Sequence, residues 1–321
     1  MGTWVEQVHG RAGVLLDQML AWQVAQEQTK VDISGAIAQL RKMLESVYTE
    51  EMPLAKILDN SDLVLHAEGP SASSDAPGLH AFNWLCGAAE KQIRTLAKSI
   101  FDLSDINSKL FAKRLDLRFS GFAPGSIYAG FSLSTIDSIM GSDEPEPIYE
   151  ILRHAIRQLP TIPEFIGDER VSIGISELMP DPALRDASLE ALFKLSPTGR
   201  AGIHTIDISS PDANKNALTN KDRVVLREAL SKPMTKAKKF GRFVGEVRAI
   251  DLDSSRILLR NIDSIGALRC VFPGANGESG KSILGKLVCI EGDYESDASG
   301  KPRLMFAQKV VTVEDMIQQD L

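Results

Sequence analysis

Two apolar stripes open the chain. Val5, Val8, Ala12, Leu15, Met19 and Trp22 recur at spacings of 3, 4, 3, 4 and 3, and Ile33, Ala36, Leu40, Met43 and Val47 at 3, 4, 3 and 4. Each set lies along one side of a helix. Thr29 to Ser34 interrupts the period with capping residues, so residues 1–60 read as a helical hairpin. Heptad-like spacing suits helix pairing between copies. The competing expectation is that both stripes pack on the next domain, because Gly10 and Gly13 weaken the first helix.

The period then changes to two. Leu63, Leu65 and Ala67 alternate with Val64, His66 and Glu68, the pattern of a half-buried strand. Gly69 to Gly78 is a loop by composition, and Phe82, Leu85, Cys86, Ala89, Ile93, Leu96, Ile100 and Leu103 predict a long helix over 79–103. Residues 114–120 and 127–134 read as a hairpin around Pro124-Gly125, and 141–147 as an acidic link. Helices are expected near 148–159, 171–178 and 182–195, a strand over 203–208, and a polar turn-rich stretch over 209–217. Thr219 caps a helix through about Ser231, ended by Pro233. Five short β-like runs follow at 240–249, 255–261, 266–272, 286–291 and 303–312, with a short helix expected from Thr312. Strands and helices do not alternate regularly, so the fold class is α+β. The expected organisation is a helical hairpin (1–60), a mixed α+β domain (61–212), a helix and basic linker (213–236), and a small five-stranded barrel of OB or SH3-like type (237–321).

The length of 321 residues fits this division, and 43% apolar with 25% charged residues is an ordinary globular balance. A net charge of −7 argues against attraction of the whole molecule to nucleic acid or anionic lipid. Charge is nevertheless uneven. Residues 215–260 hold twelve basic and five acidic side chains, which leaves the rest of the chain at about −14. Lys232, Lys236, Lys238, Lys239, Arg242, Arg248, Arg256, Arg260 and Arg269 form the candidate binding set. Strand alternation in the barrel points the five arginines outward. Aromatic residues that could stack bases are scarce there, Phe240 being the one candidate, so the set favours phosphate contact or an acidic partner surface. The competing expectation is a solvated face that pairs with the acidic N-terminal region. Acidic helix positions such as Asp181, Asp186 and Glu190 read as a solvated face.

Enzymatic signals are weak. His66 and Glu68 share a strand face and are the candidate catalytic pair, with no further metal ligand suggested by spacing. Gly274 to Ser282 resembles a phosphate-binding loop with one residue too many and no following long helix, so it reads as a polar barrel loop. His-Glu-x-x-His, Gly-x-Ser-x-Gly and Cys-x-x-Cys are absent. Cys86, Cys270 and Cys289 are too dispersed for a disulfide framework or zinc site and read as buried thiols. No cofactor and no metal are expected. No secretory signal or spanning segment is visible, so a soluble cytoplasmic protein is expected. The functional expectation is a non-enzymatic binding or regulatory protein. It would self-associate through its N-terminal part and dock nucleic acid or an acidic protein partner through the basic barrel. The alternatives are a metal-dependent hydrolase or nuclease in the α+β domain, and a structural subunit of a larger complex.

Overall fold

The computed structural model describes residues 3–72, 76–103, 115–123, 126–134, 147–232, 234, 239–274 and 277–314. The α+β class holds: helices flank a five-stranded antiparallel sheet, and a closed barrel follows. Pro124-Gly125, the acidic link before Pro147, Pro233, Lys236 and Lys238 lie outside the described residues, as does the continuation of the helix that starts after Thr312.

Helix α1 (Trp4–Thr29) starts at a capping box between Thr3 and Glu6 and ends at Lys30, which adopts the left-handed conformation. Helix α2 (Ser34–Ser46) runs through a π-helical turn at Val47–Glu51 into α3 (Met52–Asn60). Val8, Ala12, Val47, Met52 and Ala55 form a small core between α1 and this long bent helix. The α1 stripe is therefore buried against its own hairpin and α3. Asp59 of α3 accepts the backbone N–H groups of Trp4 and Val5 at 2.9 Å each, satisfying free donors at the α1 N-terminus.

Strands β1 (Leu63–Glu68), β2 (Asp116–Ala123), β3 (Ile127–Ser134), β4 (Thr205–Ser210) and β5 (Ala213–Thr219) assemble in the order β2-β3-β1-β4-β5. Strand β5 corrects the expectation of a turn-rich stretch. Only Pro211 and Asp212 turn, and the strand is polar because it is a sheet edge with Asn and Lys facing out. Leu63, Leu65, Ala129, Phe131, Ile206, Ile208 and Leu218 point to the inner face. There they meet α4 (Leu79–Leu103), α5 (Pro147–Gln158), α6 (Ile175–Leu178), α7 (Pro182–Leu195) and α8 (Asn220–Leu230). Helix α8 opens on a second capping box, Thr219 with Asp222. On the outer face α3 covers Val64 and Tyr128 with Ile57 and Leu58. Gly130 is where it sits down: a Cβ there would stand 2.6 Å from Ile57 Cγ2 and 2.3 Å from Ser61 Oγ. His66 and Val64 are thus buried, where alternation alone predicts exposure.

The barrel comprises β6 (Lys239–Asp251), β7 (Arg256–Ile262), β8 (Gly266–Val271), β9 (Leu287–Ser296) and β10 (Pro302–Thr312). Strand β6 pairs with β9 over its first half and with β7 over its second, closing the ring in the order β10-β8-β7-β6-β9. The β8–β10 pair is parallel and the others are antiparallel. Counted from β6, that is the 1-2-3-5-4-1 order of an OB barrel, and it decides between the two barrel types. Helix α9 (Gly277–Ile283) bridges β8 and β9. It replaces the polar loop expected at the phosphate-loop-like sequence, and Gly280 packs on Leu252 and Ile250. No helix among the described residues is long and apolar enough to cross a membrane.

The barrel is held by α7. Its apolar side lies in the main core through Leu189, Leu192 and Leu195, and its charged side faces the barrel. Asp181 caps the helix with Oδ1 and takes Arg303 on Oδ2 at 2.7 Å. Arg185 reaches Glu295 at 2.5 Å. Asp186 receives Arg256 on both oxygens, at 2.8 and 2.7 Å, and Arg269 at 2.6 Å. Glu190 receives Arg269, and Lys194 bridges Glu190 and Asp251 at 2.9 and 2.7 Å. From 181 to 194 these contacts follow the helix for about 20 Å. We predict that Arg269→Ala lowers the free energy of unfolding by about 3–5 kcal/mol in urea titrations, because it strands buried carboxylates. A cost below about 1 kcal/mol would mean that the contact is solvated rather than buried.

Candidate functional site

The seven described basic residues of the candidate set do not form one surface. Lys236 and Lys238 lie outside the described residues. Lys232 is exposed, 3.7 Å from Glu228, and Lys239 is exposed at the start of β6. Arg242 lies 3.1 Å from Glu291 and donates to Cys289 Sγ at 2.9 Å. Arg248 pairs with Glu246 at 3.1 Å. Arg260 is half-buried opposite Glu246 on β6. Arg256 and Arg269 correct the expectation of solvent-facing arginines: they point out of the barrel but are only 5% and 8% exposed. Their direction follows strand alternation, and what they meet is the chain's own α7. Asp186 and Glu190 correct the matching expectation of a solvated acidic face, being equally buried.

Electrostatics in this contact are dominated by pairing. Burial works to raise the Glu190 carboxyl, but Arg269, Lys194 and Arg256 outweigh it and hold the group well below the usual carboxylate range. Burial works to lower Lys194, and Glu190 and Asp251 reverse it, so its ammonium is held more firmly than usual. A carboxyl held low in the folded state contributes stability above its unfolded value near about 4.3, and that contribution is lost as pH falls below it. We predict that the denaturation midpoint falls as the pH is lowered from about 5 towards 2 and that Glu190→Gln flattens this slope. An equal slope in wild type and variant would assign acid sensitivity to other groups.

At one end of this contact lies a cavity of about 480 Å³. Lys91, Thr95, Lys98 and Ser99 of α4 form one wall. Ile250, Leu252, Asp253, Ile257 and Leu258, from β6, β7 and their connection, form the other. Glu190, Lys194, Asp251, Arg256 and Arg269 make the floor. Every floor carboxylate has a cationic partner, and Arg256 and Arg269 spend their donors on Asp186, Glu190, Ser99 and backbone carbonyls. Lys91 and Lys98 are different. They are seven residues apart on one helix face, about 10 Å, and neither has a carboxylate partner among the described residues. The sequence signal that could have found them is this spacing of 91, 95 and 98. Two lysines at this spacing stand out little beside the denser basic run after residue 215.

The weak catalytic pair falls elsewhere, on the outer sheet face. His66 Nδ1 lies 2.8 Å from Asp207 Oδ2 and 3.7 Å from Glu68 Oε1. Strand register places Asp207 directly opposite His66. Tyr128 stacks on the imidazole with centroids 3.9 Å apart, and Lys215 reaches Asp207 at 2.5 Å. Burial pushes the Tyr128 phenol up, opposed by Lys215 and reinforced by Asp207 and Glu68. Its hydrogen bond to Asp207 raises the Lys215 ammonium. Sequence reasoning missed Asp207, Tyr128 and Lys215, which are joined to His66 only by sheet pairing. The three ligand atoms of His66, Glu68 and Asp207 lie within 4.8 Å of one another, close enough to meet on an ion. Two features count against that use. Lys215 already supplies a cation to Asp207, and a metal on Nδ1 would leave a buried Nε2–H without an acceptor. The same buried Nε2 has no route to a substrate proton. The cluster therefore reads as a tie between β1 and β4.

The chain matches no protein-family model and no curated protein. We predict that Asp207→Asn lowers stability by about 1–3 kcal/mol, as expected for a buried charge-assisted bond. Zinc or manganese should leave the melting temperature of the wild type unchanged. A metal-dependent rise that Asp207→Asn abolishes would reverse this assignment.

Proposed function

We propose that the chain is a non-enzymatic binding protein that takes a small phosphoryl-bearing anion in the cavity between α4 and the mouth of the barrel. The observation that carries this reading is the pair of ammonium groups, Lys91 and Lys98, which have no carboxylate partner among the described residues, over a floor whose own charges are mutually paired. A bound anion would meet both ammonium groups without breaking an ion pair among the described residues. Ile250, Leu252 and Leu258 offer apolar contact to the rest of the ligand. The volume suits a molecule up to about the size of a mononucleotide.

This reading moves the binding role from the barrel's basic strands to the seam beside them. OB barrels take oligonucleotides on the face of their second and third strands. Here that face is β7–β8, and α7 lies on it. A strand of nucleic acid laid there would have to displace Asp186 and Glu190. A small anion at the end of the seam would not.

Calorimetric titration with inorganic phosphate, AMP, ADP and ATP at low and moderate salt tests the reading. Binding that weakens with salt and falls tenfold or more in Lys91→Ala/Lys98→Ala is expected, about 1.4 kcal/mol or more. Lys239→Ala, on an exposed barrel position away from the cavity, should bind as wild type. No binding by any of the four probes, or binding indifferent to the double substitution, would contradict it.

A further inference from the structure

Helix α1 carries a second apolar stripe that its own hairpin does not cover. The buried stripe uses Val8, Ala12 and Met19. Beside it, His9, Gly13, Leu16, Leu20, Val24 and Glu27 fall within about 80° of one another on a helical wheel. Leu16, Leu20 and Val24 are 43%, 59% and 51% exposed, and Tyr48, in edge contact with His9, extends the patch. A helix that is apolar on more than one side ordinarily has more than one side covered. Gly13 sits within this stripe, and a Cβ built there would touch nothing within 4 Å, so the stripe has an open notch.

We propose that a second copy of this chain covers the stripe, with the two α1 helices antiparallel about a two-fold axis near residue 18. The stripe is complementary to itself in that arrangement. Leu16 meets Leu20 of the other copy, and Val24 enters the notch at Gly13. His9 faces Glu27. A parallel arrangement would instead set Glu27 against Glu27. An isologous antiparallel contact needs one patch to match itself, and this one does in size and in charge. Two hairpins joined this way form a four-helix bundle at the end of the molecule remote from the barrel.

Sedimentation equilibrium on the full chain tests the proposal. A dimer is expected, with Leu20→Glu weakening it a hundredfold or more while leaving the far-ultraviolet circular dichroism unchanged, because the position is exposed. Glu27→Lys should weaken the dimer, and His9→Glu/Glu27→Lys together should recover most of the loss. A monomeric wild type at concentrations well above micromolar would overturn the proposal. So would a dimer indifferent to Leu20→Glu, or a double variant no better than Glu27→Lys alone.

Discussion

The buried charge contact between α7 and the barrel is the constraint on which the rest of the arrangement depends. One helix, about four turns long, does two jobs with its two sides. Leucines at 189, 192 and 195 complete the core under the sheet, and charges at 181, 185, 186, 190 and 194 receive the barrel. Ion pairs of this kind add little net stability over a well-packed apolar contact. What they add is register. Asp186 accepts two arginines from adjacent strands, and Asp181 both caps the helix and holds Arg303. A barrel rotated or shifted by one residue would leave buried charges unpaired, so the contact admits one placement.

That placement has consequences at both ends of the seam. It covers the barrel face on which OB folds ordinarily take polymeric ligands, and it creates the cavity where α4 and the β6–β7 connection diverge. The lysines of α4 face this cavity only because α7 sets the distance between the helical layer and the barrel. The N-terminal hairpin lies across the sheet from this seam, anchored by α3 at Gly130 and by Asp59 at the start of α1. The proposed ligand cavity and the proposed dimer patch are therefore on separate layers and need not compete.

Much of this architecture was legible in periodicity. The stripes at 5–22 and 33–47, the long helix over 79–103, the helix capped by Thr219 and the five barrel strands all follow from apolar spacing and turn residues. Strand β5 was not legible, because an edge strand with a solvated face lacks the apolar alternation that marks an inner one. The barrel type was not legible either, since strand order is a matter of pairing and the parallel β8–β10 contact leaves no local trace. The candidate sites show the same limit. Alternation correctly sent Arg256 and Arg269 out of the barrel, but their partners lie 70 and 83 residues away at Asp186. Likewise His66 finds Asp207 across 141 residues. Charged residues at helix spacing look solvated until a second body is placed against them.

The most direct test of this account is amide hydrogen exchange on the full chain, comparing α7 with β7 and β8. If α7 clamps the barrel, the protected amides of all three elements open together at one free energy, and Asp186→Ala lowers that value for the barrel strands as well as for the helix. Barrel strands that exchange independently of α7, with protection untouched by Asp186→Ala, would contradict it.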